Sequence, residues 1–158
     1  MEISFDVAGF LVAHRSSILA NTDAEVIGRR LPHYAAAGAA EITERLASLF
    51  DEVVAAAAEN NLDSALAYAD RIAVERQHSG HDLSEVQLAI NALEEQLWHA
   101  VMEDAPVDAQ GFALGMVSTI LGAMKDRLAC AFVSRASGKP IHTLRIDELF
   151  RGTAAGQA

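Results

Sequence analysis

Glu75 and His78 stand three residues apart at the end of a helical pattern, a Glu-x-x-His spacing that sets a carboxylate and an imidazole on one helix face. That is half of a di-iron carboxylate centre, which also needs a second Glu-x-x-His and two more inward carboxylates from separate helices. Glu95 and His99 are four apart and not three, so a ferritin-like metal site would rest on Glu75 and His78 with Glu95 and His99 as an imperfect second pair. A solvated pair, His78 and His81 on either side of Gly80, explains the same residues. His99, next to Trp98, and His14, on the apolar face of a first helix, are the imidazoles placed to act as axial haem ligands. Aromatic residues make up only 6% of the chain, which leaves little to wall a porphyrin. A neutral histidine hydrogen-bonded at the margin of a core accounts for either position equally well.

Nucleophilic catalysis has less to stand on. Cys130 falls in the middle of a helical pattern, and no Gly-x-Ser-x-Gly elbow occurs. Gly111 and Gly115 are four apart within a helix, which reads as close helix packing and not as a phosphate-binding turn. The expectation is a protein without catalytic residues and without a bound cofactor.

The elements that must position these residues are helical. Hydrophobic residues form 51% of the 158, and the excess is alanine, which favours closely packed helices. The net charge of −10 and the lack of a lysine or arginine stripe argue against a nucleic-acid partner. A single cysteine allows no internal disulfide and suggests a reducing, cytoplasmic setting. The start, Met1-Glu2, lacks a basic region, and the apolar run Val7 to Ala13 is interrupted by Gly9, so neither a signal peptide nor a membrane anchor is expected there.

Five to six helices in one domain over residues 1–150 are predicted, followed by a flexible tail from Arg151 to Ala158. The first runs from about Asp6 to Ala20, broken by Asn21-Thr22-Asp23 before a short segment toward Arg30. A second spans about Ala35 to Glu59, and a third Leu62 to Gln77. Gly80 can close the third in the left-handed conformation, Asp82 is a good N-cap, and Glu85 is its capping-box partner. The helix that follows, to about Asp104, carries the seam Leu83, Val86, Ile90, Leu93 and Leu97. Another extends from about Ala109 to Ala136, and a short one from Thr143 to Phe150. The long penultimate helix has two apolar rows, Phe112-Met116-Ile120-Met124-Leu128-Phe132 and Leu114-Val117-Leu121-Val133. It is either central or covered by a second subunit, and the second alternative makes Phe112, Met116, Ile120 and Met124 candidates for a homodimer interface. Globin-like crossing and an up-and-down bundle use the same lengths and stripes.

The string Arg71-Ile-Ala-Val-Glu-Arg76, then Gly80, Leu83, Glu85-Val86 and the helix to Trp98, is similar to the N-terminal sensory domain of RsbR-type stressosome regulators. An opening helix like Phe10 to Leu19, a Leu49-Phe50 helix end and the helix after Pro106 occur in the same order, so the resemblance covers roughly residues 5–135. It implies a non-haem, globin-like sensor domain, usually dimeric, that passes a signal to a regulatory protein partner or an attached output domain. Arg76, Gly80 and Glu85 carry the resemblance, with Asp82 as the intervening cap. The 158 residues leave no room for an output domain, so a free-standing sensor-like domain or a fragment of a longer regulator is expected. A small apolar ligand between helices fits the same reading.

Overall fold

The seam at Leu83, Val86, Ile90, Leu93 and Leu97 forms where its spacing puts it. In the computed structural model, which describes residues 4–139 and Phe150, it lies on a helix from Leu83 to Asp104, and Leu93 and Leu97 are fully buried. Seven helices are present among the described residues: α1 (Val7–Ala13), α2 (Arg15–Gly28), α3 (Pro32–Ala37), α4 (Ala39–Glu59), α5 (Asp63–His78), α6 (Leu83–Asp104) and α7 (Val107–Ser137). No strand occurs among those residues, so the fold is all-α, built on one hydrophobic cluster drawn from every helix.

Three boundaries differ from the sequence pattern, each for a local reason. The first helix turns at His14, whose backbone leaves the helical region and whose N–H bonds both Phe10 and Leu11 carbonyls, so α1 and α2 are separate. Asn21-Thr22-Asp23 does not break α2. The buried Thr22 hydroxyl donates to the Ile18 carbonyl at 2.7 Å, and Asp23 accepts from Thr43 of α4 at 2.8 Å, so these polar side chains find partners without disturbing the helix. The alanine run from Ala35 to Ala40 is cut at Gly38, whose φ of 90° and ψ of 158° suit only glycine. The predicted helix from Thr143 and the tail from Arg151 lie outside the described residues, apart from Phe150, which is helical and buried in the core.

Packing settles which helix is central. α4 lies against each of the other six helices, whereas α7 packs chiefly on α5, α6 and α4. α7 is held to α5 by a bidentate Arg127 to Asp70 pair at 2.7 and 2.8 Å, and to α6 by Lys125, which reaches Glu94 and Asn91. By length and mean hydropathy (1.3) α7 could cross a membrane, but it is here the flank of a packed core. Both of its apolar rows turn largely inward. Met116, Ile120 and Met124 are buried by the chain's own helices and Phe112 is half-buried, so this row is core and not the interface that its hydrophobicity suggested. The outward stripe of α7 consists instead of small residues, Gly111, Gly115, Ser118 and Gly122.

Candidate functional site

The junction between α5 and α6 is built by its backbone. The His81 N–H bonds the Arg76 carbonyl at 2.8 Å and the Gly80 N–H bonds the Gln77 carbonyl at 3.1 Å, the paired closure of a Schellman motif with Gly80 left-handed at φ 81°. A β-carbon on Gly80 would also stand 3.4 Å from His33 Nε2 of α3. Two residues on, Glu85 accepts the Asp82 N–H at 3.2 Å, its half of the capping box.

Glu85 does more than cap. Its carboxylate, 5% exposed, accepts the His33 backbone N–H at 3.2 Å and meets His33 Nδ1 at 2.6 Å, so α3 is stitched to the start of α6 across 52 residues. Burial pushes the Glu85 carboxyl up, but the His33 and Asp82 bonds outweigh it and hold the group below the usual carboxylate range. His81 is buried beside them, its ring 5.0 Å from the rings of both His33 and Tyr34, and neither nitrogen has a partner among the described residues. Burial, then the positive charges of Arg76 and Arg45, push its pKa down, so the neutral imidazole is favoured.

Arg76 links this cluster to a cleft between α4 and α5. It sits on the last turn of α5, 6% exposed, close enough to Tyr34 for its charge to oppose the rise that burial gives the Tyr34 hydroxyl pKa. Its ion pair is with Glu75 at 3.6 Å, a half-exposed neighbour too far for a hydrogen bond, and its Nε has no acceptor among the described residues. The cleft, about 320 Å³, is lined by Arg45, Arg71, Arg76, Ser48, Tyr68 and Ile72, with Glu41, Glu44 and Glu75. Arg45 lies over the Tyr34 ring and Arg71 over the Tyr68 ring, at 5.8 and 5.1 Å. Burial raises the Tyr68 hydroxyl to about 12, which keeps it a neutral donor.

A second region faces outward on α6, beside α7. Trp98 and Met102, 47% and 54% exposed, line an open groove of about 550 Å³ with Asn91, Glu94, Glu95 and His99. The Trp98 indole N–H donates to Ser118 of the small-residue stripe at 3.1 Å. A β-carbon at Gly111, Gly115 or Gly122 would meet no atom within 4 Å outside its own helix, so no element of the described chain packs there. The expected close helix packing over Gly111 and Gly115 is thus not made among the described residues.

The sequence-based ligands do not converge. His14 uses both nitrogens, Nδ1 toward the Phe10 carbonyl at 2.8 Å and Nε2 toward Asp104 at 3.2 Å, which leaves neither ring nitrogen free for iron. His99 is an exposed groove residue, 3.7 Å from Glu95. His78 is exposed, Glu75 turns to the arginine cleft, and no three His, Cys, Asp or Glu side chains gather as a metal site among the described residues. Of the residues singled out in sequence, the structure unites Arg76, Gly80, Asp82 and Glu85. The contributions of His33, Tyr34 and Arg45 had no local signal, because each acts across a long sequence separation. No family model matches this chain, and no curated protein or solved structure shows significant similarity to it.

Proposed function

We propose that the chain is a non-enzymatic signalling domain that works as a homodimer through its α6–α7 face, in the manner of the stressosome sensor domains that its Arg76, Gly80 and Glu85 pattern resembles. The observation that carries the reading is that this face holds both a projecting part and a recess. Trp98 and Met102 stand out beside a glycine-lined stripe with open space above it. Two copies related by a two-fold axis can each set the large side chains against the other's stripe, which suits a self-complementary interface. Aromatic anchors beside small residues give close backbone approach and a large apolar contact. The three positions of the resemblance support the reading as well, since Arg76 and Glu85 are buried and Gly80 is left-handed.

Sizing with light scattering tests it. The wild-type chain should elute as a dimer, and Gly115→Leu should yield a folded monomer, because the added side chain points where the partner would lie. A wild-type monomer at all concentrations, or an unaffected Gly115→Leu dimer, overturns the interface. The same run with hemin addresses the haem alternative, which has His99 on the groove in its favour. A Soret peak that co-elutes with protein and is lost in His99→Ala would replace this reading with a haem sensor.

A further inference from the structure

The cleft between α4 and α5 holds buried guanidinium nitrogens whose hydrogen bonds the described residues do not complete. Arg76 is 94% covered, since 6% of its surface is exposed, yet its nearest carboxylate is the half-exposed Glu75 at 3.6 Å. Arg45 gives one arm to Glu41, and its other arm, Nη1, is buried without an acceptor among the described residues, as is Arg76 Nε. Arg71 forms no ion pair among those residues and is spent on the face of Tyr68. A buried guanidinium N–H without an acceptor is costly, and a water oxygen can take up the hydrogen bonds but not the charge.

The charges are also sorted by depth. Arg76 and Arg45 are largely covered, whereas Glu41, Glu44 and Glu75 are exposed at the rim. A ring of carboxylates repels a dianion such as phosphate and attracts a cation. We infer that this cleft is a binding site for a small zwitterion of amino-acid type, with its carboxylate on Arg76 and Arg45 and its ammonium group toward the rim glutamates. The planar arginine fork fits a carboxylate in two-point fashion, Ser48 and Tyr68 supply further hydroxyls, and about 320 Å³ is room for a small molecule.

The consequence is structural as well as local. The Arg76 carbonyl holds the His81 N–H at 2.8 Å, and His81 packs against His33 and Tyr34 of α3, so a carboxylate on Arg76 acts on the joint where α3, α5 and α6 meet. The site does not depend on the dimer reading, since binding is read on monomer or dimer alike.

Thermal shift and calorimetric titration of the full chain test it, with the standard amino acids, the matching carboxylic acids lacking the amino group, and inorganic phosphate, each to about 10 mM, a range that covers millimolar Kd values. At least one amino acid should raise Tm saturably, its deaminated counterpart should bind about tenfold more weakly or worse, and phosphate should not compete. Ser48→Ala, at an exposed position where folding is not at risk, should weaken binding about fivefold through the lost hydroxyl, and Arg76→Lys, which keeps the charge but loses the fork, should abolish it. Absence of binding by every amino acid, equal binding of phosphate or of the deaminated acid, or full binding by both variants would overturn the proposal.

Discussion

The α5–α6 junction with its cleft and the outer face of α6–α7 break the usual partition of side chains in opposite senses. The first buries an arginine, a glutamate and a histidine; the second leaves a tryptophan and a methionine half in water. Most surface apolar groups are unremarkable one at a time, and most charged groups stay at the surface, so each inversion is informative where several residues share it. The polar region is held by directional bonds and should be sensitive to single-atom changes. The apolar face is not holding the monomer together and should tolerate them. Substitutions in the two regions should therefore differ in what they cost the fold.

The largest expected effect comes from the α7 row that the sequence pattern leaves either central or covered by a second subunit. Ile120→Glu places a charge at a fully buried position of α7, and the chain should fail to fold cooperatively, with loss of the helical circular dichroism signal on mild heating. A folded, monomeric Ile120→Glu would return that row to the interface and undo the contrast. Next is Glu85→Ala, which strips acceptors from the Asp82 N–H, the His33 N–H and the His33 ring. A loss of about 3 kcal/mol in urea-derived stability is expected, because donors are left unpaired beside a buried space. A change under about 1 kcal/mol would mean that the junction is not a structural joint.

Acid should act on the same region. His81 is faced by His33 and Tyr34 of α3, Arg45 of α4, Arg76 of α5 and Glu85 of α6, and the net result is a lowered pKa. The unfolded chain takes up a proton at the usual histidine value of about 6.5 while the folded chain does not, so stability is complete above that pH and declines below it, until the folded pKa is passed. The slope due to one such group is at most about 1.4 kcal/mol per pH unit. Glu85, whose pKa is also lowered, adds a second decline of the same sign below about 4.5. Denaturant titrations between pH 7 and 5 should show the first decline in wild type and a flatter profile in His81→Phe, while Glu95→Gln on the apolar face should leave it unchanged.

Local signals made much of this legible. Asp82 and Glu85 announce a capping box, Gly80 a left-handed helix end, and the Leu83-to-Leu97 spacing a buried stripe; all three depend on neighbours within one or two helical turns. What could not be read depends on contacts made after folding. The pairing of His33 with Glu85 spans 52 residues, and the orphaned guanidinium of Arg76 is known only once Tyr34 and α4 have been placed over it. The outer face was legible only in part. The apolar pattern marks the rows that this chain buries itself, whereas Gly111 and Gly115, readable as a close-packing pair, do not say what packs on them, and among the described residues nothing does.

Two glycine substitutions give the finest test of the contrast, because they make the same chemical change with opposite expected signs. At Gly80 the φ of 81° strains any L residue and the new methyl group stands 3.4 Å from His33 Nε2, so Gly80→Ala should cost about 1–2 kcal/mol. At Gly115 the backbone is helical and the methyl group enters open space, so Gly115→Ala should stabilise the isolated monomer by about 0.5–1 kcal/mol through helix propensity alone. The gain is expected in dilute solution, where the proposed dimer would be dissociated. At concentrations that favour the dimer it should shrink or reverse, since the same methyl group then meets the partner's α6–α7 face. A gain of equal size at every concentration would show that nothing covers the stripe, and the apolar face would then be ordinary surface.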